Sequence, residues 1–167
     1  GNFGVATSFE FRLHPVGPLV LAGLLIWPGD ASNDIARIYR DLAFDAPDEL
    51  GSGLVMLTGP PEEFVPAHLQ GTTVTAVALA WAGDPADGES AIKVLRDAQP
   101  EIDLVSPMPY ADFQCMIDDP PGLYNYWTAD YHDDFPDEAL DVFVKAGFAR
   151  QSPHAQQILL PWGGAVA

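Results

Sequence analysis

The stretch VLAGLLIWPGD, residues 20–30, decides the fold class of this chain. Residues 20–27 form an uninterrupted apolar run, and Pro28 and Gly29 end it. A run of this length suits a strand that is buried on both sides better than it suits a helix. Residues 74–81, VTAVALAW, are similarly apolar, and we predict a second strand there.

Alternation and turn residues predict further strands on both sides of this run. Residues 5–13 alternate between apolar and polar side chains, which is the period-two pattern of a strand with one buried face. The predicted strands are 5–13, 20–27, 54–57, 74–81, 104–105, 123–129 and 157–162. The proline-rich segment 58–71, TGPPEEFVPAHLQG, is predicted to be a loop.

Four helical segments are predicted between these strands. They are 30–46, 84–95, 109–118 and 136–147. Asp30 or Ser32 can cap the first, and Asp84, which a proline follows, begins the second. In the third, which has one or two turns, Phe113 and Met116 are expected to point inward.

The order of these elements favours one α+β domain over a doubly wound parallel sheet. Helices recur after pairs of strands rather than after every strand, so we predict a large antiparallel sheet with ferredoxin-like halves. The helices are expected on one face, which leaves the other face without helices. A chain of 167 residues is long enough for one good core.

Charge excludes several classes of partner. The chain has 24 acidic and 7 basic residues, a formal net charge of −17, so nucleic acid and anionic membrane surfaces are repelled. A salt-adapted source and an ordinary acidic protein explain this charge equally well. No apolar run is long enough to cross a bilayer, and no signal peptide is recognised, so we expect a cytoplasmic protein. The single cysteine agrees with a reducing compartment.

No metal or nucleophile motif is found in the sequence. The four histidines, His14, His68, His132 and His154, are isolated and do not have zinc-ligand spacing. No serine or cysteine stands in a recognised nucleophile motif. The acidic stretch 129–141 lacks the EF-hand spacing and is interpreted as the start of a helix. We therefore predict no metal site.

The opening residues, GNFG, are a weak signal when taken alone. They have neither the lysine of a P-loop nor the glycines of a dinucleotide fingerprint, and they precede a predicted strand. The two glycines would let the backbone approach a flat or bulky group. A tight turn at the edge of a domain is the simpler interpretation.

A family resemblance covers nearly the whole chain. The matching segments, in family order, are GNFGVATSFEFRLHPVGP, AGLLIWPGD, APDEL, GPPEEFVPAHLQG, GDPADGESAIKVLR, PMPYADFQCMID, YNYWTADY and PDEAL. Together they resemble the berberine bridge enzyme-like branch of the vanillyl-alcohol-oxidase type of FAD-linked oxidoreductases. In that family, an antiparallel sheet with helices on one side roofs the flavin ring and holds the substrate against it.

The resemblance implies a division of the chain and a cofactor. Residues 1–5 look like the tail of the flavin-binding domain, with Asn2, Phe3, Gly4 and Val5 contacting FAD, and residues 6–167 look like the substrate-binding domain. The family's flavin-binding domain precedes this point, and the family continues past residue 167. The chain is thus expected to be a fragment that does not turn over alone, because FAD carries the redox chemistry.

The resemblance also directs attention to the predicted strand 123–129. Alternation places Tyr124, Tyr126 and Thr128 on one face, while Trp127 is expected to pack beneath the helices. We take Tyr126 as the candidate catalytic residue, which assists deprotonation of the substrate, and Tyr124 and Thr128 as substrate contacts. Many relatives have lysine at the position of Thr128. Equally, the tyrosines could simply cover an apolar sheet face.

Tyr110 and Gln114, which lie one helical turn apart, are a second pair of candidate substrate contacts. Core packing and capping are the more ordinary roles for this pair.

Two functions from different classes follow. The first is the substrate-binding part of an FAD-dependent oxidoreductase that oxidises a C–H bond next to oxygen or nitrogen by hydride transfer to flavin. Its partners would be a small-molecule substrate and the missing flavin-binding domain. The second is a free-standing ferredoxin-like binding module without a redox role, whose open sheet face a second copy would cover in a homodimer.

Overall fold

A computed structural model of the chain describes residues 4–13, 16–118 and 121–162. In these ranges the sheet has six strands: β1 (Val20–Pro28), β2 (Leu50–Thr58), β3 (Thr73–Trp81), β4 (Ile102–Asp103), β5 (Ser106–Met108) and β6 (Gln157–Leu159). Five α-helices accompany them: α1 (Ser32–Phe44), α2 (Pro85–Ala91), α3 (Lys93–Asp97), α4 (Tyr110–Met116) and α5 (Asp137–Phe148).

The sheet is antiparallel, and its strand order is β4-β1-β3-β2-β6, with β5 also paired to β1. The first four strands alternate with helices in the order βαββαβ and stand side by side as 4-1-3-2, which is the ferredoxin-like arrangement. The predicted α+β class and the antiparallel sheet are therefore confirmed.

The apolar run 20–27, which forms β1, is buried on both faces of the sheet, as predicted. On one face Leu25 and Trp27 join the main core with residues of α1, α3 and α5. On the opposite face Ile26 belongs to a second apolar cluster, and Ala22 belongs to a third. Because every position in this strand except Leu24 and Pro28 is buried, the run needs no polar face.

The predicted first strand, residues 5–13, is wrong. The structure describes these residues without regular secondary structure, and Phe9 and Phe11 are 74% and 75% exposed. Their rings stack with centroids 5.9 Å apart, but no β-ladder of the described residues includes the segment. Alternation alone does not form a strand, because the backbone groups of a strand require a paired neighbour.

Several predicted boundaries also change. The strand expected at 104–105 is replaced by β4 and β5 on either side of it, where the Leu104 carbonyl lies close against Gly23 and the Leu104 amide donates to the Leu24 carbonyl at 2.9 Å. In α4, Phe113 is buried as predicted, but Met116 is 40% exposed. The last strand ends at Leu159 rather than at residue 162.

Neither of the two predicted N-cap residues, Asp30 and Ser32, caps α1. A single 3₁₀ turn, Gly29–Ala31, precedes the helix, and the N-cap residue, Ala31, has no side-chain cap. The Ser32 hydroxyl instead donates to the Gly29 carbonyl (2.6 Å) and lies 2.7 Å from the Thr75 hydroxyl. It therefore joins the turn to β3. Asp84 caps α2 as predicted by accepting from the Ala86 amide at 2.9 Å.

Helices α1 and α5 are joined by an ionic network on their outer side. Arg37 and Arg40 both pair with Asp137, and Arg37 also reaches Asp141 at 2.6 Å. Hydrogen bonds from Arg40 and Arg37 lower the pKa of Asp137 below its usual value. The network adds to the apolar packing of α5, whose Leu140, Phe143 and Val144 lie in the main core.

The face of the sheet opposite the main core is partly covered by the chain itself. Val65 and Leu69, from the loop between β2 and β3, pack over one end, and Phe113 of α4 packs over the other. Leu24 and Ala78 between them are partly exposed. The expectation that this face carries no helix is thus wrong for α4, although an open strip remains.

The burial of Tyr39 makes the free energy of unfolding depend on pH. Its side chain is 1% exposed, its hydroxyl lies 3.3 Å from that of Ser52, and burial raises its pKa to about 12. The unfolded phenol has a pKa of about 10, so its stabilising effect is complete below that pH and is lost as the pH rises towards 12. We expect the free energy of unfolding to fall by roughly 2 kcal/mol over this interval.

Urea unfolding at a series of alkaline pH values measures this loss. A Tyr39→Phe variant should lack it, whereas Tyr131→Phe, whose ring is 78% exposed, should retain it. An equal alkaline loss in Tyr39→Phe and in the unchanged chain would show that Tyr39 is not its source.

Candidate functional site

The candidate site is a cleft of about 730 Å³ beyond the end of β2. Three segments line it: 57–61, 123–127 and 152–156. The first leaves the sheet at Gly59, which is buried closely against the Leu69 carbonyl and forms a bridge with Gln70. The third leads directly into β6, so the strand pairing of β6 with β2 brings it beside the first.

The tyrosines predicted from the sequence lie in this cleft, but not on a strand. Tyr124 and Tyr126 both line it. The predicted strand 123–129 is wrong, because the segment has no regular secondary structure and both rings are almost fully exposed. Trp127 also lines the cleft and is 67% exposed, so the expectation that it packs beneath the helices is wrong. Thr128 is exposed and is not among the lining residues.

The second predicted pair, Tyr110 and Gln114, lies elsewhere. The Gln114 amide donates to the Tyr110 hydroxyl at 3.0 Å along the exposed side of α4. Phe113 anchors this helix over Ala22, which pairs with Ala80, whereas the cleft begins at Leu57, which pairs with Val74. Six residues of strand separate these positions, a distance of about 20 Å. The two tyrosine pairs therefore do not share one pocket.

His154 is a cleft residue that the sequence reasoning missed. It lies in the segment before β6, where its backbone amide donates to the Ser152 hydroxyl at 3.2 Å, and it lines the same cleft as Tyr126. An imidazole can accept or donate a proton, so the cleft combines phenols with one further acid–base group. An isolated histidine gives no sequence signal, because only the pairing of β6 places it beside the tyrosines.

Two of the four predicted flavin contacts, Gly4 and Val5, lie within the described residues. Asn2 and Phe3 lie outside the described residues. Gly4 and Val5 are exposed, and a Cβ atom built on Gly4 would meet no other group within 4 Å. These two residues alone do not enclose a flavin.

Membrane-spanning helices and metal-binding clusters are both absent from the described ranges. None of their helices combines the length and the apolar composition needed to cross a bilayer. In the same ranges, no group of three or more His, Cys, Asp and Glu side chains is placed to bind a metal ion.

Comparison with known proteins gives a partial relationship. No family model matches the chain. Over 130 residues it is 32% identical to an FAD-linked oxidoreductase of Dictyostelium discoideum. The match covers 75% of this chain but only 25% of that protein. The chain is therefore a distant relative of part of an FAD-linked oxidoreductase.

Proposed function

We propose that this chain is the substrate-binding part of an FAD-linked oxidoreductase that oxidises a C–H bond next to oxygen or nitrogen. The partial relationship to the Dictyostelium protein carries this proposal. In such a reaction the substrate gives a hydride to the flavin and a proton to a base, and it becomes a carbonyl compound or an imine. FAD would be held by a flavin-binding domain of the parent protein, with residues 1–5 contributing contacts.

Within this proposal, Tyr126 assists removal of the substrate's O–H or N–H proton. Tyr124 and Thr128 orient the substrate beside it. Tyr110 and Gln114 lie about 20 Å away along the strands, so a role for them requires a ligand that extends across the open strip. Tyr126 and His154 line the same cleft, which supports a proton-transfer role for this end of the sheet.

The test uses the protein encoded by the complete reading frame that contains these residues. We expect it to purify with flavin absorption, or to gain this absorption when FAD is added. Tyr126→Phe should slow reduction of the bound flavin by substrate about a hundredfold, because general base catalysis contributes that order of rate. Tyr131→Phe, outside the cleft, is the matched control.

A complete protein that stays colourless and does not take up FAD would contradict the proposal. If such a protein were also a dimer, the alternative of a ferredoxin-like module that covers its open sheet face with a second copy would be favoured.

A further inference from the structure

A second cavity, of about 500 Å³, lies on the helix side of the sheet. The C-terminal half of α1 and the residues after it line one side, and segments 132–135 and 159–162 line the others. Leu50, which begins β2, also lines this cavity, whereas the cleft begins at Leu57. Seven residues of strand separate these two positions, a distance of about 23 Å. The cavity is therefore separate from the candidate site.

The lining of this cavity carries more negative than positive charge. Three carboxylates line it, those of Asp48, Asp133 and Asp134. The lining has one guanidinium, that of Arg40, which already pairs with Asp41 at 2.8 Å and with Asp137 at 2.6 Å. The ion pairs of the described residues include none of the three lining carboxylates. Carboxylates are ionised at neutral pH, so the cavity attracts a cation.

The spacing of the carboxylates favours a large cation over a metal ion. A calcium ion needs several oxygen atoms within about 2.6 Å. In the described ranges, however, no His, Cys, Asp and Glu side chains converge in this way. Carboxylates spread around a cavity interact at longer range with a cation that fills much of the space between them.

Aromatic rings supply much of the apolar lining. Phe44 and Trp162 are 63% and 59% exposed, and the half-buried Phe135 meets the ring of His132 edge-on, with centroids 5.4 Å apart. Large apolar side chains that stay open to water inside a cavity are typical of a binding site. Aromatic faces also attract cations, and they are the usual means by which proteins recognise quaternary ammonium groups.

We propose that this cavity binds an organic cation, a ring compound with a quaternary ammonium group, in preference to a neutral or anionic compound of similar shape. The lining carboxylates attract the charge, and the rings of Phe44 and Trp162 contact the apolar groups of the ligand. The formal net charge of −17 attracts cations of every kind to the surface, so the selection comes from the rings. Binding in this cavity needs neither flavin nor the cleft.

Four probes separate the contributions of charge and ring: benzyltrimethylammonium, tetramethylammonium, benzyl alcohol and phenylacetate. Each is titrated into the 167-residue chain at about pH 8, where imidazole groups in general are uncharged. Binding is followed by NMR through the backbone amides of Asp48 and Asp134. We expect benzyltrimethylammonium to shift both amides and to bind at least about tenfold more tightly than any other probe, because it alone combines a cation with a ring.

Variants of the lining test whether the cavity is the place of binding. Asp48→Asn combined with Asp134→Asn removes two charges at nearly constant shape and should weaken the binding of benzyltrimethylammonium about tenfold. Trp162→Leu, which replaces the ring by an apolar side chain, should weaken it about threefold. The matched control combines Asp112→Asn with Asp118→Asn, both exposed and outside the cavity, and should change the affinity less than about twofold.

Binding of any other probe as tightly as benzyltrimethylammonium would overturn the inference, because either the charge or the ring would then contribute nothing. A failure of benzyltrimethylammonium to shift the two amides would also overturn it. An equal loss of affinity in the two double variants would show general attraction of cations to the acidic surface instead of a site. None of these results bears on the uptake of FAD by the complete protein, so the oxidoreductase proposal is tested separately.

Discussion

Replacing Trp27 with alanine is expected to lower the free energy of unfolding by about 4 kcal/mol, the range found for buried aromatic residues. The side chain is 1% exposed and packs in the main core between the sheet and the helices. Its indole N–H also donates to the Ala98 carbonyl at 2.9 Å, and the truncation would leave this acceptor without its partner. Urea unfolding followed by circular dichroism measures the effect.

Trp127→Ala is the matched control, because it removes the same side chain from an exposed position. Its effect should stay within about 0.5 kcal/mol, as for most surface substitutions. A large destabilisation by Trp127→Ala would restore the buried strand that the sequence predicted at 123–129. A small effect of Trp27→Ala would contradict the core described above.

Replacing Gly23 with alanine is expected to cost about 3 kcal/mol or more, although it adds only one methyl group. Gly23 has a φ of 148°, which side chains rarely adopt. The added Cβ atom would overlap the Leu104 carbonyl and lie 2.8 Å from the Val105 Cα atom. Because both obstacles are backbone, the chain between β4 and β5 would have to move.

Gly51→Ala makes the same change on β2 without an obstacle. The nearest atom to its added Cβ is the Ala80 carbonyl oxygen at 3.7 Å, an ordinary contact, so we expect a change within about 0.5 kcal/mol. Thermal unfolding of both variants provides the comparison. Similar melting temperatures for the two would show that the segment after β4 does not lie against Gly23.

Burial explains which strands could be predicted from the sequence. The runs at 20–27 and 74–81 are apolar except for Thr75, because most of both faces of β1 and β3 is covered, and no alternation is needed to identify them. The segments 5–13 and 123–129 have good period-two patterns, but the pattern specifies only which face a strand would bury. Whether a neighbouring strand exists to pair with them depends on distant residues.

Of the residues in the candidate site, the sequence predicted only the two tyrosines. Tyr124 and Tyr126 stand out in the sequence, and the structure brings them into one cleft. Residues 152–156 complete that cleft only because β6 pairs with β2, which is far away along the chain. Likewise, the distance between α4 and the cleft depends on which strands are neighbours in the sheet, which the order of apolar segments along the chain does not show.

The joining of α1 to α5 has a consequence for how the chain reaches this fold. The longest pairing within the first four strands, that of Leu25 with Asp103, closes a separation of 78 residues (103 − 25). The contact between Arg40 and Asp137 instead closes a separation of 97 residues. Long closures cost more chain entropy and form slowly. Because synthesis runs from the N-terminus, the βαββαβ unit emerges before residues 137–159, and the segments that complete the cleft dock onto it last.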